Sequence, residues 1–211
     1  MNKPCADVRL YTLAGIYTAT NFLDSFRDKL AEMLRCSGFH VRASSLFPYG
    51  DWSRSKSRQA AEIACDLVLP AVGGRRVLKD LSCSGDDVVL LIGHSGGGVA
   101  AVRAASKLVR QGQRVAAIAM IGSPKIPIPR DLANRTAFMY ACNDAGAITD
   151  PVTRLGAWRG RQPKHKAALR LIGGHPDYFR MMEPFRNEEG RSNLEVTVEA
   201  LVPWLLDRLS S

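Results

Sequence analysis

At 211 residues and 23.1 kDa, the chain has the length of one ordinary domain, too short for two catalytic domains. Its 46% hydrophobic and 23% charged residues are globular proportions that exclude wholesale disorder, and no apolar run approaches the roughly 20 residues that span a bilayer. A net charge of +9, from 29 Lys+Arg against 20 Asp+Glu, raises anionic partners, but no zinc-finger spacing and no strand of interleaved aromatic and basic residues accompanies it, so no nucleic acid is expected.

Along the chain, short apolar runs alternate with amphipathic ones, the pattern of a parallel sheet with crossover helices. Residues 8–15 read as a strand, and 21–35 as a helix that buries Phe22, Phe26, Leu30 and Leu34 and is closed by Gly38. Residues 39–46 form the next strand. Over 59–72, Ala60, Ile63, Ala64, Leu67, Val68 and Ala71 recur at i, i+3, i+4 spacing and predict a second helix with one apolar face. Gly73, Gly74, Ser82, Ser84 and Gly85 mark a loop. Residues 87–92 are continuously apolar after Asp87, as a central strand buried on both faces requires. That strand runs directly into Gly93-His94-Ser95-Gly96-Gly97-Gly98 and a helix to about Arg110.

Two more strands, 115–121 and 136–142, flank a segment holding Pro124, Pro127 and Pro129, which cannot carry much helix. Residues 168–172 read as the last strand. A C-terminal helix follows, with Ser192 and Glu195 at capping-box spacing and Pro203 within it. The expected architecture is a single domain over 1–211, a three-layer α/β/α sandwich on a mainly parallel sheet of about six strands. Ligands of such sheets bind beyond the carboxyl ends of the strands, so the residues just after each strand are the ones that matter.

Gly93-His94-Ser95-Gly96-Gly97 matches G-x-S-x-G between an apolar strand and a helix. A serine on so tight a turn needs nearly bare neighbours two residues to either side, and here these are Gly93 and Gly97. The following helix start would direct backbone N–H groups toward developing negative charge. The same glycines fit a dinucleotide loop poorly, because the first gap is wrong, and a phosphate-cradling loop not at all, because the turn has no lysine. A purely structural turn is the third reading. A serine nucleophile also needs an oriented base. One residue beyond strand 136–142 stands Asp144, and after 168–172 comes Gly173-Gly174-His175. The order Ser95, Asp144, His175 is the one this architecture uses.

With these residues in view, the sequence resembles the α/β-hydrolase fold superfamily, in the form of a small esterase, lipase or thioesterase without a cap domain. The resemblance implies Ser95 as nucleophile, His175 as general base and then acid, and Asp144 as the residue orienting the imidazole. Asp150-Pro151-Val152 also resembles the family's acid loop, so Asp150 is the alternative orienter. An oxyanion hole is implied from the Gly96 backbone N–H and one from the loop Gly15-Ile16-Tyr17, with Ile16 preferred and Tyr17 next. His94, at the x of the motif, is expected to point away from the serine and serve packing.

Residues 122–135 leave no room for a helical cap. The site is therefore expected to be open, rimmed by Tyr17, Tyr49 and Trp52, with Ile126 to Ile128 and Trp158 beside them, a lining suited to an apolar acyl group. The expected function is a serine hydrolase acting on a small-molecule carboxylic ester or thioester through an acyl-enzyme, without cofactor. The alternative is a non-catalytic module on the same fold that engages an anionic partner through its basic surface. That surface would include the stretch of Arg154, Arg159, Arg161, Lys164, Lys166 and Arg170, which has no acid between Asp150 and Asp177. Metal binding is not expected: Cys5, Cys36, Cys65, Cys83 and Cys142 form no CxxC pair, and their odd number fits reduced thiols in a cytoplasmic protein. The N-terminus shows no signal-peptide pattern.

Overall fold

A computed structural model describes residues 7–69, 72–81 and 86–211. Its strands are β1 (Val8–Leu13), β2 (Val41–Leu46), β3 (Val88–His94), β4 (Arg114–Ile121), β5 (Thr136–Cys142) and β6 (His165–Arg170). All neighbours are parallel, in the order β2-β1-β3-β4-β5-β6. The helices are α1 (Asp24–Cys36), α2 (Lys56–Val68), α3 (Gly73–Asp80), α4 (Gly96–Arg110) and α5 (Asn193–Ser210).

The alternation of side chains along each strand sorts the core into two layers. Leu10, Leu90 and Ile92 meet Phe26 and Leu30 of α1 and Leu201 and Leu205 of α5. Tyr11, Leu13 and Leu91 meet Val77 of α3 and Val99 and Val102 of α4, with Ile63 of α2 packed alongside. Helices thus cover both faces, and β3 is buried along its whole length, which is why its sequence is an unbroken apolar run. This is the three-layer α/β fold that the sequence predicts. The strand order reverses direction between β1 and β3, so the loops leaving these two strands diverge at the carboxyl end of the sheet, where sheets of this kind place their ligands.

Three elements depart from expectation. Residues 73–80 form helix α3, not a loop. Its first turn is held by Asp66, whose carboxylate accepts from the Val72 N–H at 2.8 Å and the Gly73 N–H at 2.7 Å; a remote carboxylate thus supplies the cap that local sequence lacks. For the same reason α2 buries only part of the expected stripe: Ile63 and Leu67 pack against the core. Ala60, Ala64 and Val68 are exposed, while Gln59 and Asp66 are fully buried because both serve backbone groups of neighbouring loops. Finally β6 begins at His165, three residues before the apolar run. It is an edge strand whose Lys166, Ala168 and Arg170 face solvent, so apolar content marks only one of its sides. The expected Ala71, Ser82, Ser84, Gly85, Cys5 and Cys83 lie outside the described residues.

Between β4 and β5 the chain holds only a short 3-10 turn, Arg130–Arg135, and α5 begins with the expected capping box, Ser192 and Glu195 each bonding the other's backbone.

Candidate active site

Ser95 ends β3 and precedes α4 with φ 56° and ψ −131°, a left-handed backbone conformation that costs a non-glycine residue of order 1–3 kcal/mol. The surroundings over-determine it. Side chains on Gly93 or Gly97 would collide with the Gly97–Gly98 backbone or with the Leu13 carbonyl, so the turn closes only with both glycines. The Ser95 N–H donates to the Ile121 carbonyl at 3.0 Å and its own carbonyl accepts from the Gly98 N–H at 3.1 Å. The loop after β1 lies directly against the serine: a Cβ on Gly15 would stand 2.7 Å from Ser95 Cβ and 3.0 Å from Oγ.

His175 Nε2 lies 3.0 Å from Ser95 Oγ. Its Nδ1 lies 3.0 and 3.1 Å from the two oxygens of Asp150. An ionised carboxylate only accepts, so the proton on the Asp150 side belongs to Nδ1 and Nε2 is left to accept from the serine hydroxyl. Asp150 is fully buried. Burial by itself would raise its carboxyl, but hydrogen bonds with His175, the Tyr178 hydroxyl (2.8 Å) and the Val152 N–H (2.9 Å) outweigh burial and hold it below the ordinary carboxylate range.

Asp144, the preferred orienter from sequence, makes no such contact. After Cys142 the chain folds into a tight turn: Asn143 Oδ1 accepts from the Ala147 N–H, the Asn143 carbonyl accepts from the Gly146 N–H, and Gly146 has φ 75°. Ile148 then pairs back antiparallel to Cys142. The turn carries Asp144 out to an exposed tip and brings the chain back under His175 at Asp150. Asn-Asp-Ala-Gly is itself a turn sequence, a signal that sequence proximity to the strand end overrode.

The loop bearing His175 is tied at both ends. Asp177 Oδ2 accepts from the Gly174 N–H at 2.9 Å, and the Asn193 side chain bonds Ile172 N–H, Ile172 carbonyl and Asp177 carbonyl. Tyr178, absent from the sequence reading, has a buried hydroxyl that accepts from the Ala141 N–H at 2.8 Å and donates to Asp150. It therefore joins β5, the acid loop and the histidine loop at one oxygen. Beneath the site, His94 stacks on His175 with centroids 4.9 Å apart, and its Nε2–H donates to the His175 carbonyl at 3.0 Å. Phe22 and Phe179 pack against the His94 ring. Burial, with a smaller electrostatic contribution from the neighbouring His175, lowers the His94 pKa to about 3, so this imidazole stays neutral.

Of the loop after β1, the Tyr17 N–H is held by Gln59 Oε1 at 2.8 Å, while Gln59 Nε2 donates to the Asp51 and Arg54 carbonyls. Among the described residues, neither the Ile16 N–H nor the Gly96 N–H has a hydrogen-bond partner. The expected rim is only partly a rim. Tyr17 and Trp52 are exposed, but Tyr49 is fully buried with its hydroxyl on Asp66 at 2.8 Å, and Ile126 and Ile128 are core residues. Trp158 packs edge-on against Phe138. Tyr49 is drawn into the interior by Asp66, the buried carboxylate of α2 that its hydroxyl meets.

Among the described residues no His, Cys, Asp and Glu side chains cluster as metal ligands, and no helix is long and apolar enough to cross a membrane.

No family model matches the chain, and no curated protein matches its sequence. Among solved structures, the chain is similar to the NocB thioesterase domain, solved as a covalent complex with a fluorophosphonate nocardicin G analog, with 16% identity, 94% of each chain covered and a TM-score of 0.49.

Proposed function

We propose that this protein is a serine hydrolase that cleaves a carboxylic ester or thioester through an acyl-enzyme. The observation that carries the reading is the continuous relay Ser95 Oγ, His175, Asp150, with each link at about hydrogen-bond length on three separate loops. A buried carboxylate, a half-exposed imidazole and a strained serine at the carboxyl end of the sheet have no shared structural task that would require this alignment.

In this reading Ser95 Oγ attacks the substrate carbonyl carbon while His175 Nε2 accepts the hydroxyl proton, and Asp150 stabilises the resulting imidazolium without taking its proton. The carbonyl oxygen, now negative, is held by the Gly96 N–H at the start of α4 and by the Ile16 N–H. Tyr17, the other donor considered, has its N–H committed to Gln59. His175 then protonates the departing alcohol or thiol, and a water deprotonated by His175 releases the acid. Exposed Tyr17 and Trp52 supply an apolar flank for the acyl group.

A fluorophosphonate probe tests the proposal: labelling of the wild type at Ser95, abolished in Ser95→Ala, is expected. Labelling that persists in Ser95→Ala would overturn it. A panel of p-nitrophenyl esters of graded length beside acyl thioesters then assigns the leaving group.

A further inference from the structure

The formal charge of +9 is not spread evenly once ion pairs are drawn. Elsewhere most arginines have carboxylate partners: Arg9 with Asp87, Arg27 with Asp24, and Arg54 and Arg76 both with Glu62. The acid-free run between Asp150 and Asp177 differs. Arg161, Lys164 and Lys166, joined by Arg130 from the preceding crossover, line one groove of about 770 Å³ with Ile128 at its wall. None of these four cations has an ion-pair partner among the described residues, and no acidic side chain lines the groove.

Its walls are fixed. The Ile128 N–H donates to the Arg161 carbonyl and the Lys164 N–H to the Ala133 carbonyl, both at 3.0 Å, so the two crossover segments are tied across the groove. Lys166 Nζ lies 2.6 Å from Gln162 Oε1 and 5.9 Å from the centre of the Trp158 ring. No α-helix covers the β5–β6 crossover: a single 3-10 turn, Pro151–Arg154, and irregular chain take its place, and β6 turns Lys166 outward. It sits at the amino ends of β5 and β6, whereas Ser95 and His175 stand beyond carboxyl ends, a separation on the order of one strand length, ~20 Å.

We propose that this groove is a second binding site, for a small ligand carrying a diphosphate. Four cations line one groove with no carboxylate among them, and a compact dianion or trianion can satisfy several of their donors at once. The volume is that of a small-molecule site. The shared chemistry is the diphosphate; its source is either an inorganic anion or a nucleoside diphosphate. The proposal does not depend on the reaction at Ser95.

The test is titration of the 211-residue protein with inorganic pyrophosphate, ADP and adenosine, followed by calorimetry and by the fluorescence of Trp158 in a Trp52→Phe, Trp204→Phe background. Saturable binding of pyrophosphate and ADP but not adenosine is expected, weakened at least tenfold in Arg161→Ala/Lys164→Ala and weakened by raising the salt from 50 to 200 mM. Pyrophosphate binding alone assigns an inorganic anion, and tighter binding of ADP assigns a nucleotide. The single Lys166→Glu variant, at an exposed position, provides an independent check should the double variant fold poorly. Absence of pyrophosphate and ADP binding at millimolar concentration, affinity unchanged in Lys166→Glu, or tighter binding of single-stranded RNA than of ADP would each overturn the proposal.

Discussion

His94 lies nearly parallel to His175, ring planes 22° apart, and donates from Nε2 to the carbonyl of the same residue. Its Nδ1 is buried without a hydrogen-bond partner among the described residues. A buried acceptor left unmatched costs of order 1–3 kcal/mol, so the ring is kept for what its other nitrogen and its face do: they fix the height and tilt of the His175 loop.

That placement predicts a pH dependence. The folded protein keeps His94 neutral to about pH 3, whereas in the unfolded chain a histidine takes up a proton near 6.5. Below pH 6.5 the unfolded state therefore binds the extra proton, and stability falls as pH drops from 6.5 toward 3, by ~1.4 kcal/mol per pH unit. The Asp150 carboxyl, held below its ordinary range, adds to the loss only at the acid end of this window. Urea midpoints measured from pH 6.5 to 4.5 should fall steeply in the wild type and less steeply, by about one proton's worth, in His94→Gln. Equal slopes would remove His94 as the titrating group.

The acid assignment separates two residues six apart. Asp150→Asn removes the carboxylate on His175 Nδ1 and permits the wrong tautomer, with an expected loss of ~10⁴ in turnover. Asp144→Asn alters only an exposed turn and should leave turnover within about twofold and thermal stability within ~0.5 kcal/mol. The kcat of the two variants on one p-nitrophenyl ester decides the matter; the reverse ordering would restore Asp144.

Much of this was legible from local pattern. The serine turn could be read because its glycines, strand and helix are contiguous, and β3 because burial on both faces leaves only apolar residues. The histidine followed from its place after the last strand. Asp150 rather than Asp144 meets His175 because the turn at Asn143–Gly146 folds the chain back on itself, so distance along the sequence exceeds distance in space. Helix α3 and the inward face of α2 were hidden for a related reason: Asp66 and Gln59 act on backbone groups that no local periodicity reveals. Tyr178 carries no motif, and its role exists only where β5, Asp150 and the His175 loop converge.

Tyr178→Phe isolates one oxygen. The variant leaves the buried Ala141 N–H without its acceptor and withdraws one of the hydrogen bonds that lower the Asp150 carboxyl. The cost of an unsatisfied buried donor is ~1–3 kcal/mol, so thermal denaturation should shift down by several degrees for a chain of this size, at roughly 2–4 °C per kcal/mol. Turnover should fall as well, because Asp150 is then held by fewer partners. An unchanged melting temperature would mean that the hydroxyl contributes nothing to either loop.

Gly15→Ala tests whether the loop after β1 must touch the serine. Its added methyl would stand 2.7 Å from Ser95 Cβ, closer than packed carbons approach, and Gly15 is not among the residues with positive φ, so the effect is steric rather than conformational. Either the serine rotates off His175 or the loop retreats, carrying the Ile16 N–H away from the position proposed for the oxyanion. Loss of one such donor costs ~10²–10³ in turnover. Gly112→Ala provides the contrast. There φ is 82° with nothing within 4 Å of the new methyl, so strain of ~1 kcal/mol appears in stability while fluorophosphonate labelling proceeds at the wild-type rate. Labelling at the wild-type rate in Gly15→Ala would show that the loop can yield without moving the chemistry, and would remove Ile16 from the proposed mechanism.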